Sequence, residues 1–519
     1  MSSREIAIKK NRYFDSVFLM TVTRRLSEQP GIENAAAVMG SPANKAILVN
    51  MGFAEEALAP AGPNDLIVAL EGDRAAVRRL VDHLEEWIIR PTPERTGPMA
   101  ISFDDALSRQ PKSNLAVISV PGEYAAREAH AALAHGISVF LFSDHVPLED
   151  EIALKRKASQ AGLIVMGPDC GTALIGGIGV GFANAVRRGP IGVVASSGTG
   201  LQEFSCLVHR AGSGVSHGIG TGSRDLSDEV GGLSTLTAVN ALEDDPGTRV
   251  VAVISKPPGK TTLQRIVERL NRCGKPVVAC FLGLAPDSRP ENARFKICST
   301  LDDIVTAALR LSGEELAGWP ALSADQLETL LHGQVRRMAA QQKYIRGLFA
   351  GGTLCYQSQQ VMRDAGIIVY SNAPLDGMRQ IKDPNTSIEN TLIDMGADEF
   401  TVGTPHPMID ATQRIRRIQA EAQDPEVAVL LLDVILGYNA SPEPAGDLAN
   451  AIRAAKRTTA DAGRHLSVVA SVCGTDGDPQ GLEEQEEILR EAGAIVFASN
   501  LQASSFARDI VLQRMEVLG

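Results

Sequence analysis

Two short stretches concentrate residues that can hold an anion. The first is Ser196-Ser197-Gly198-Thr199-Gly200, which ends an apolar run and opens a helical pattern. A strand, tight turn and helix in this order leave the first backbone N–H groups of the helix unpaired, where the helix dipole favours negative charge. Three hydroxyls add donors, and the glycines let a ligand approach the backbone. The second stretch, Gly351-Gly352-Thr353, follows Gly347-Leu-Phe-Ala350 in the same way. Two cations accompany them: Arg224, in the loop Gly220-Thr-Gly222-Ser-Arg224, and Lys256, just after an apolar run. One helix start holds an anion weakly, whereas several starts with Arg224 and Lys256 would hold a doubly charged phosphoryl group. A third loop, Gly403-Thr404-Pro-His406-Pro407-Met-Ile-Asp410, has Pro407 well suited to a first helical turn. There His406 could polarise a carbonyl or move a proton, with Asp410 or Asp433 orienting it, or could equally be a helix cap.

Other chemically suggestive residues have plainer readings. Cys170 in Gly-Pro-Asp-Cys-Gly has no histidine obviously paired with it and reads as a small buried turn residue. His217, beside Gly218, could line the same cleft or equally be a loop histidine without a role. The acidic run Glu483-Glu-Gln-Glu-Glu487 has the spacing of a solvated helix face rather than of a metal site.

The elements that must position these residues follow an α/β rhythm. With 519 residues, 44% hydrophobic and 48 of them glycine, the chain has the composition of a compact multidomain enzyme. A net charge of −12 argues against nucleic-acid binding. Seven cysteines without a CxxC pair or metal-ligand spacing predict a reduced, cytoplasmic protein without a metal site. Neither a signal sequence at the start nor a bilayer-spanning apolar run is expected, so no membrane partner is either.

Residues 1–98 read as a small α+β domain, with a helix predicted over 74–88 and a proline-broken linker over 90–98. The loop Gly40-Ser-Pro-Ala-Asn-Lys45 reads first as a plain helix start. A Rossmann-like domain is predicted over 110–188, a flavodoxin-like domain over 189–315, a helical linker over 316–342, and a second flavodoxin-like domain over 343–519. The two flavodoxin-like units share landmarks in one order. The turns 196–200 and 351–353, the loops 218–222 and 401–405, and two Asp-Pro pairs predict a duplication, with an insertion over about 371–390 in the second copy. Packing about a pseudo-twofold axis would bring the two turns and the 403–410 loop to one site.

The motif order resembles the α subunit of succinyl-CoA synthetase over about 115–282. It includes Val120-Pro121, Gly167-Pro-Asp-Cys170, the Ser-Ser-Gly-Thr turn and Gly218-Ile-Gly220, while the second copy resembles the ligase domain of the β subunit. Nearly the whole chain resembles the FdrA family, through Ile118-Ser-Val-Pro-Gly-Glu-Tyr-Ala-Ala126, Val165-Met-Gly-Pro-Asp-Cys-Gly-Thr172, Arg224-Asp-Leu-Ser-Asp-Glu-Val-Gly-Gly232 and Pro405-His-Pro-Met-Ile-Asp410. That resemblance implies a component of oxamate carbamoyltransferase, which interconverts oxalurate and phosphate with oxamate and carbamoyl phosphate in allantoin breakdown. It implies small anionic substrates and further subunits.

The departures from the synthetase bear on the chemistry. The region after Leu284 has no histidine before Cys298, where the synthetase carries its phospho-histidine loop. Its Gly-Glu-Ile-Gly-Gly strand end is replaced by Ser255-Lys256-Pro-Pro-Gly259, a cation for a carboxylate. No segment is long enough for an ATP-grasp domain, and the glycine-rich CoA loop has no counterpart. ATP-driven thioester synthesis by this chain alone is therefore not expected. No cofactor is required; a CoA-type pocket, if used, would draw on Pro121, Gly122 and Asp169. A ligase needing a nucleotide-binding partner and a non-catalytic scaffold are the alternative readings.

Overall fold

The computed structural model describes residues 2–12, 14, 16–88, 100, 102–314, 318–401 and 404–518. The linker expected over 90–98 and Gly403 lie outside them. The chain forms two compact units, Met1–Lys112 with Ala397–Asp410, and Ser113–Gly396 with Ala411–Gly519.

In the first unit, strand Leu66–Asp73 lies between Ser2–Lys9 and Ile32–Met39, all antiparallel. Its buried residues Leu66, Val68 and Leu70 meet Val22 and Leu26 of helix Ser16–Ser27 and Val77 and Leu80 of helix Arg74–Asp82. Asp73 ends the strand and caps that helix, accepting from the Ala75 and Ala76 N–H groups. The predicted 74–88 helix is broken at His83 and resumes as Leu84–Trp87. In the 40–45 loop Ser41 caps helix Pro42–Asn50, and the Lys45 ammonium donates to the Ala61 carbonyl.

The second unit begins with three parallel strands, Leu115–Ile118, Ser138–Leu141 and Val165–Met166, crossed by helices Gly122–Ala134 and Leu148–Gln160. A seven-stranded sheet follows in the order Lys296–Cys298, Val277–Phe281, Val250–Ser255, Ile191–Ala195, Val215–Gly220, Thr172–Ile175, Ile178–Gly181. The last two strands form an antiparallel hairpin on its edge. Thus 172–181, expected within the Rossmann-like domain, extends the next sheet.

The other seven-stranded sheet runs Arg379–Gln380, Tyr370–Ser371, Thr391–Asp394, Tyr344–Phe349, Val427–Ile435, Ser467–Cys473, Ile495–Phe497, all parallel. Counting Ile191–Ala195 and Tyr344–Phe349 each as the first strand, and leaving out the edge hairpin of one sheet and the short strands Tyr370–Ser371 and Arg379–Gln380 of the other, both halves have the doubly wound order 2-1-3-4-5. Their central strands Val250–Ser255 and Val427–Ile435 are buried throughout, as a parallel sheet covered on both faces requires.

Register corrects one landmark of the duplication. Ala195 lies opposite Gly220, and Phe349 opposite Asp394. The counterpart of the 218–222 region is therefore strand Thr391–Asp394, and not 401–405. Extra chain on both sides of that strand, including the short pair Tyr370–Ser371 and Arg379–Gln380, hid the match. Ala397–Asp410 groups instead with the first unit.

Candidate functional site

In a doubly wound sheet, ligands bind where the strand order reverses, at the carboxyl end of the first strand. Here the two reversal points meet. Strand Ile191–Ala195 leads into helix Gly198–Arg210, and strand Tyr344–Phe349 into helix Gly352–Asp364. The Ser197 hydroxyl accepts from the Gly200 N–H at 2.9 Å, capping its own helix, and is hydrogen-bonded to the Thr353 hydroxyl. The Thr353 N–H donates to Thr199 Oγ1 at 3.4 Å.

Deeper along the same helices the pseudo-twofold relation continues. Gln357 Oε1 accepts from the N–H of Leu301 at 2.8 Å, and Glu203 Oε1 from that of Asn500 at 2.9 Å. Each side chain thus satisfies the start of the last helix of the other half, Leu301–Ser312 or Asn500–Leu518. Burial pushes the Glu203 carboxyl pKa up.

The two turns differ in charge. At the first, the Ser196 N–H donates to the Ile254 carbonyl at 3.1 Å, while the N–H groups of Ser197, Gly198 and Thr199 have no partner among the described residues. Lys256 is exposed and places its ammonium 5.0 Å from the Tyr356 ring centroid, leaning from the first half onto helix Gly352–Asp364.

At the second turn the N–H groups of Ala350, Gly351 and Thr353 are engaged. The N–H groups of Ala350 and Gly351 donate to the buried Asp433 carboxylate at 2.8 and 2.7 Å. Burial raises the pKa of Asp433, but Arg414, 3.0 Å from Oδ1 and itself 3% exposed, and the two N–H groups hold it as the carboxylate. A methyl group on Gly352 would lie 2.4 Å from Asp394 Oδ2, so a second carboxylate sits against this turn. The phosphate expected at Gly351, Gly352 and Thr353 therefore meets occupied donors at two of the three residues. The Gly351 and Thr353 N–H groups are taken, and two acids neighbour the turn. Neither acid's role was read from local pattern, although an aspartate inside the buried run Val427–Ile435 was a visible signal.

The remaining predicted site residues are mostly committed elsewhere. Arg224 pairs with Glu151 at 2.9 Å and donates to the Val146 carbonyl at 2.7 Å, so two of its nitrogens are engaged by the chain itself. Glu151 also holds Lys155, whose buried ammonium contacts Asp225 at 2.8 Å and the Thr221 carbonyl at 2.9 Å. Gly220 and Gly222 are required by close backbone approach. A Cβ would meet the Thr172 carbonyl at 2.3 Å or the Pro168 carbonyl at 2.3 Å, so these glycines pack against the 167–172 loop and do not open a ligand path.

His406 Nδ1 lies 3.2 Å from the Met408 N–H, and its carbonyl accepts from Ile409 and Asp410; it is a turn cap. With Thr404 and Asp410 it belongs to the first unit, whereas Asp433, expected to orient it, is engaged in the second. A methyl group on Gly122 would lie 2.3 Å from the Asp144 carbonyl, so this glycine too is packed against backbone. Pro121 precedes its helix, and Asp169 accepts from the Ser223 hydroxyl at 2.9 Å. Burial pushes the Cys170 thiol up to about 12, which removes it as a nucleophile. His217 accepts from the Gly176 N–H. No group of three or more potential metal ligands occurs among the described residues.

Residues 348–510 match the CoA-ligase family model, and residues 1–99 that of the AllF, heavy metal-associated domain. The uncharacterized protein YahF of Escherichia coli is 43% identical over 99% of this chain and 100% of its own. The chain belongs to the FdrA family. Its fold is succinyl-CoA synthetase-like. The α subunit of an ADP-forming succinate–CoA ligase from Methanothermobacter thermautotrophicus is 28% identical over 40% of this chain and 71% of that one. The solved ATP citrate lyase from Methanothrix soehngenii, in complex with citrate and coenzyme A, aligns with 80% of this chain and 85% of its own at 14% identity and a TM-score of 0.35, too distant to bear on function. The heavy-metal name does not carry over to ligands. Residues 1–99 contain no cysteine and one histidine, His83, which pairs with Glu86. This segment therefore offers no thiolate to a soft metal.

Proposed function

We propose that this FdrA-family chain is a subunit of a carbamoyltransferase of the oxamate type, acting on oxalurate and phosphate or, in reverse, on oxamate and carbamoyl phosphate. The observation that carries the reading is the first turn: three unpartnered N–H groups at a helix start, with Lys256 leaning over the same junction. Such a constellation suits one phosphoryl dianion. The reaction needs no covalent enzyme intermediate. A phosphate oxygen bonds to the carbamoyl carbon, the bond to the oxamate nitrogen breaks, and that nitrogen takes the proton phosphate gives up. Alignment of the two reactants and stabilisation of charge on the carbonyl oxygen can supply the rate. Further subunits would complete the assembly.

A second reading is an acid–thiol ligase. The CoA-ligase match over 348–510 favours it, and it would need both a phospho-carrier and a nucleotide-binding domain from another chain, since 283–298 contains no histidine. Calorimetric titration of the full chain, alone and with candidate partner subunits, separates the readings. Binding of carbamoyl phosphate, strengthened by oxamate and absent for CoA and ATP, supports the transferase. Binding of CoA or ATP without any response to carbamoyl phosphate replaces it with the ligase.

A further inference from the structure

The junction is polar from one side to the other. The first half contributes donors and a cation, and the second contributes carboxylates. In the first half the position opposite Ala195 is Gly220, without a side chain; in the second the position opposite Phe349 is Asp394. Asp394 is half-buried and firmly held. Asn372 bonds both sides of its backbone, donating to its carbonyl at 2.8 Å and accepting from its N–H at 2.9 Å, and Oδ1 accepts from the Gly396 N–H at 2.9 Å. Oδ2 lies against the start of helix Gly352–Asp364, whose Thr353 is bonded to the first turn.

We propose that Asp394 determines specificity at this junction by accepting a hydrogen bond from a ligand N–H, so that the preferred ligand is an acyl phosphate whose acyl end carries an amino group. This rests on phosphate binding at the first turn. An ionised carboxylate only accepts hydrogen bonds, and each oxygen has more than one lone pair to offer. It leaves a methyl group unanswered, which penalises the isostere lacking N–H. Carbamoyl phosphate and acetyl phosphate differ in this respect, NH2 against CH3, at nearly the same size.

The test is titration of the full chain with inorganic phosphate, carbamoyl phosphate and acetyl phosphate. Wild type is expected to bind carbamoyl phosphate about tenfold more tightly than acetyl phosphate. In Asp394→Asn an amide nitrogen can face the ligand, and the preference should fall to about one while inorganic phosphate binds at least as well. Asp394→Glu, which keeps the acceptor, should retain part of it. Equal binding of the two acyl phosphates by wild type, a comparison that needs no variant, would overturn the proposal, as would a full preference in folded Asp394→Asn. If phosphate binds without any preference, Asp394's role alone fails; if none of the three binds, the first-turn reading fails and takes this one with it.

Discussion

Removing the Asp433 carboxylate should expose what it does at the second turn. In Asp433→Ala, Arg414 keeps the Leu348 carbonyl at 2.9 Å but loses its counter-charge, and the Ala350 and Gly351 N–H groups lose their acceptor. All of this happens where Asp433 is 0% and Arg414 3% exposed. Breaking a buried pair by deleting one partner costs about 3–5 kcal/mol, because the surviving charge stays buried. That is roughly two to four decades in the unfolding constant. Urea titration followed by Trp319 fluorescence in a Trp87→Phe background would read the second unit, since Trp87 and Trp319 are the chain's two tryptophans and each belongs to one unit. The vacated turn should also become an anion site, so phosphate should raise the variant's midpoint more than that of wild type. A loss below about 1 kcal/mol with no phosphate effect would refute the assignment of Asp433 as an internal ligand of the helix start.

Further outcomes follow from other contacts. Lys256→Ala should weaken phosphate binding several-fold with an unchanged far-UV spectrum, because the side chain is exposed and its main contact is the Tyr356 ring; unchanged binding would exclude Lys256 from the site. Gly220→Ala should destabilise the second unit by several kcal/mol or block folding, since its methyl would stand 2.3 Å from the Thr172 carbonyl and 2.5 Å from Cys170 Sγ; a urea midpoint near wild type would show that the loop yields easily. Burial, with the Glu203 charge nearby, pushes the Asp302 carboxyl up to about 7. The folded state then binds this proton more tightly than the unfolded chain, so Asp302 should lower stability as pH rises from about 4 to 7, by at most about 1.4 kcal/mol per unit. Asp302→Asn should flatten that part of the profile, and a profile unchanged across that range would reject it.

The alternation of short apolar runs with amphipathic stretches made the layered α/β architecture and the repeated strand–turn–helix legible, because those periodicities are local. The partner of each charge was not. Arg224 lies in a glycine-rich loop like a ligand-binding cation, yet its acceptors, Glu151 and Val146, belong to an earlier helix region. His406 before a proline fits a catalytic or a capping role equally well in the sequence, and the structure shows its ring accepting from the Met408 N–H. The glycines at 220 and 222 looked like openings for a ligand, but the backbone they admit is the chain's own. The duplication is legible in its turns but not at its second strand, since Gly-Thr at 403–404 matches Gly-Thr at 220–221 in letters while the ladder pairs Asp394 with Phe349 of strand Tyr344–Phe349.

The asymmetry of the two turns follows from bringing them together. Each helix start carries about half a positive charge, so two starts converging on one point repel unless something negative lies between them. Asp433 offsets that repulsion at the second start, and Arg414 restores the balance behind it, away from the junction. The hydroxyls of Ser197 and Thr353 can then meet directly. In the first half no equivalent carboxylate is present: the residue opposite Val194 is Val253 and the next along the strand is Ile254, whereas the residue opposite Leu348 is Leu432 and the next is Asp433. The first start is therefore the one whose field is left for a ligand. A pair of symmetric phosphate sites would have required both turns to keep their donors open; one open turn facing one internally neutralised turn provides for a single phosphoryl group and leaves the opposite wall to recognise the rest of the molecule.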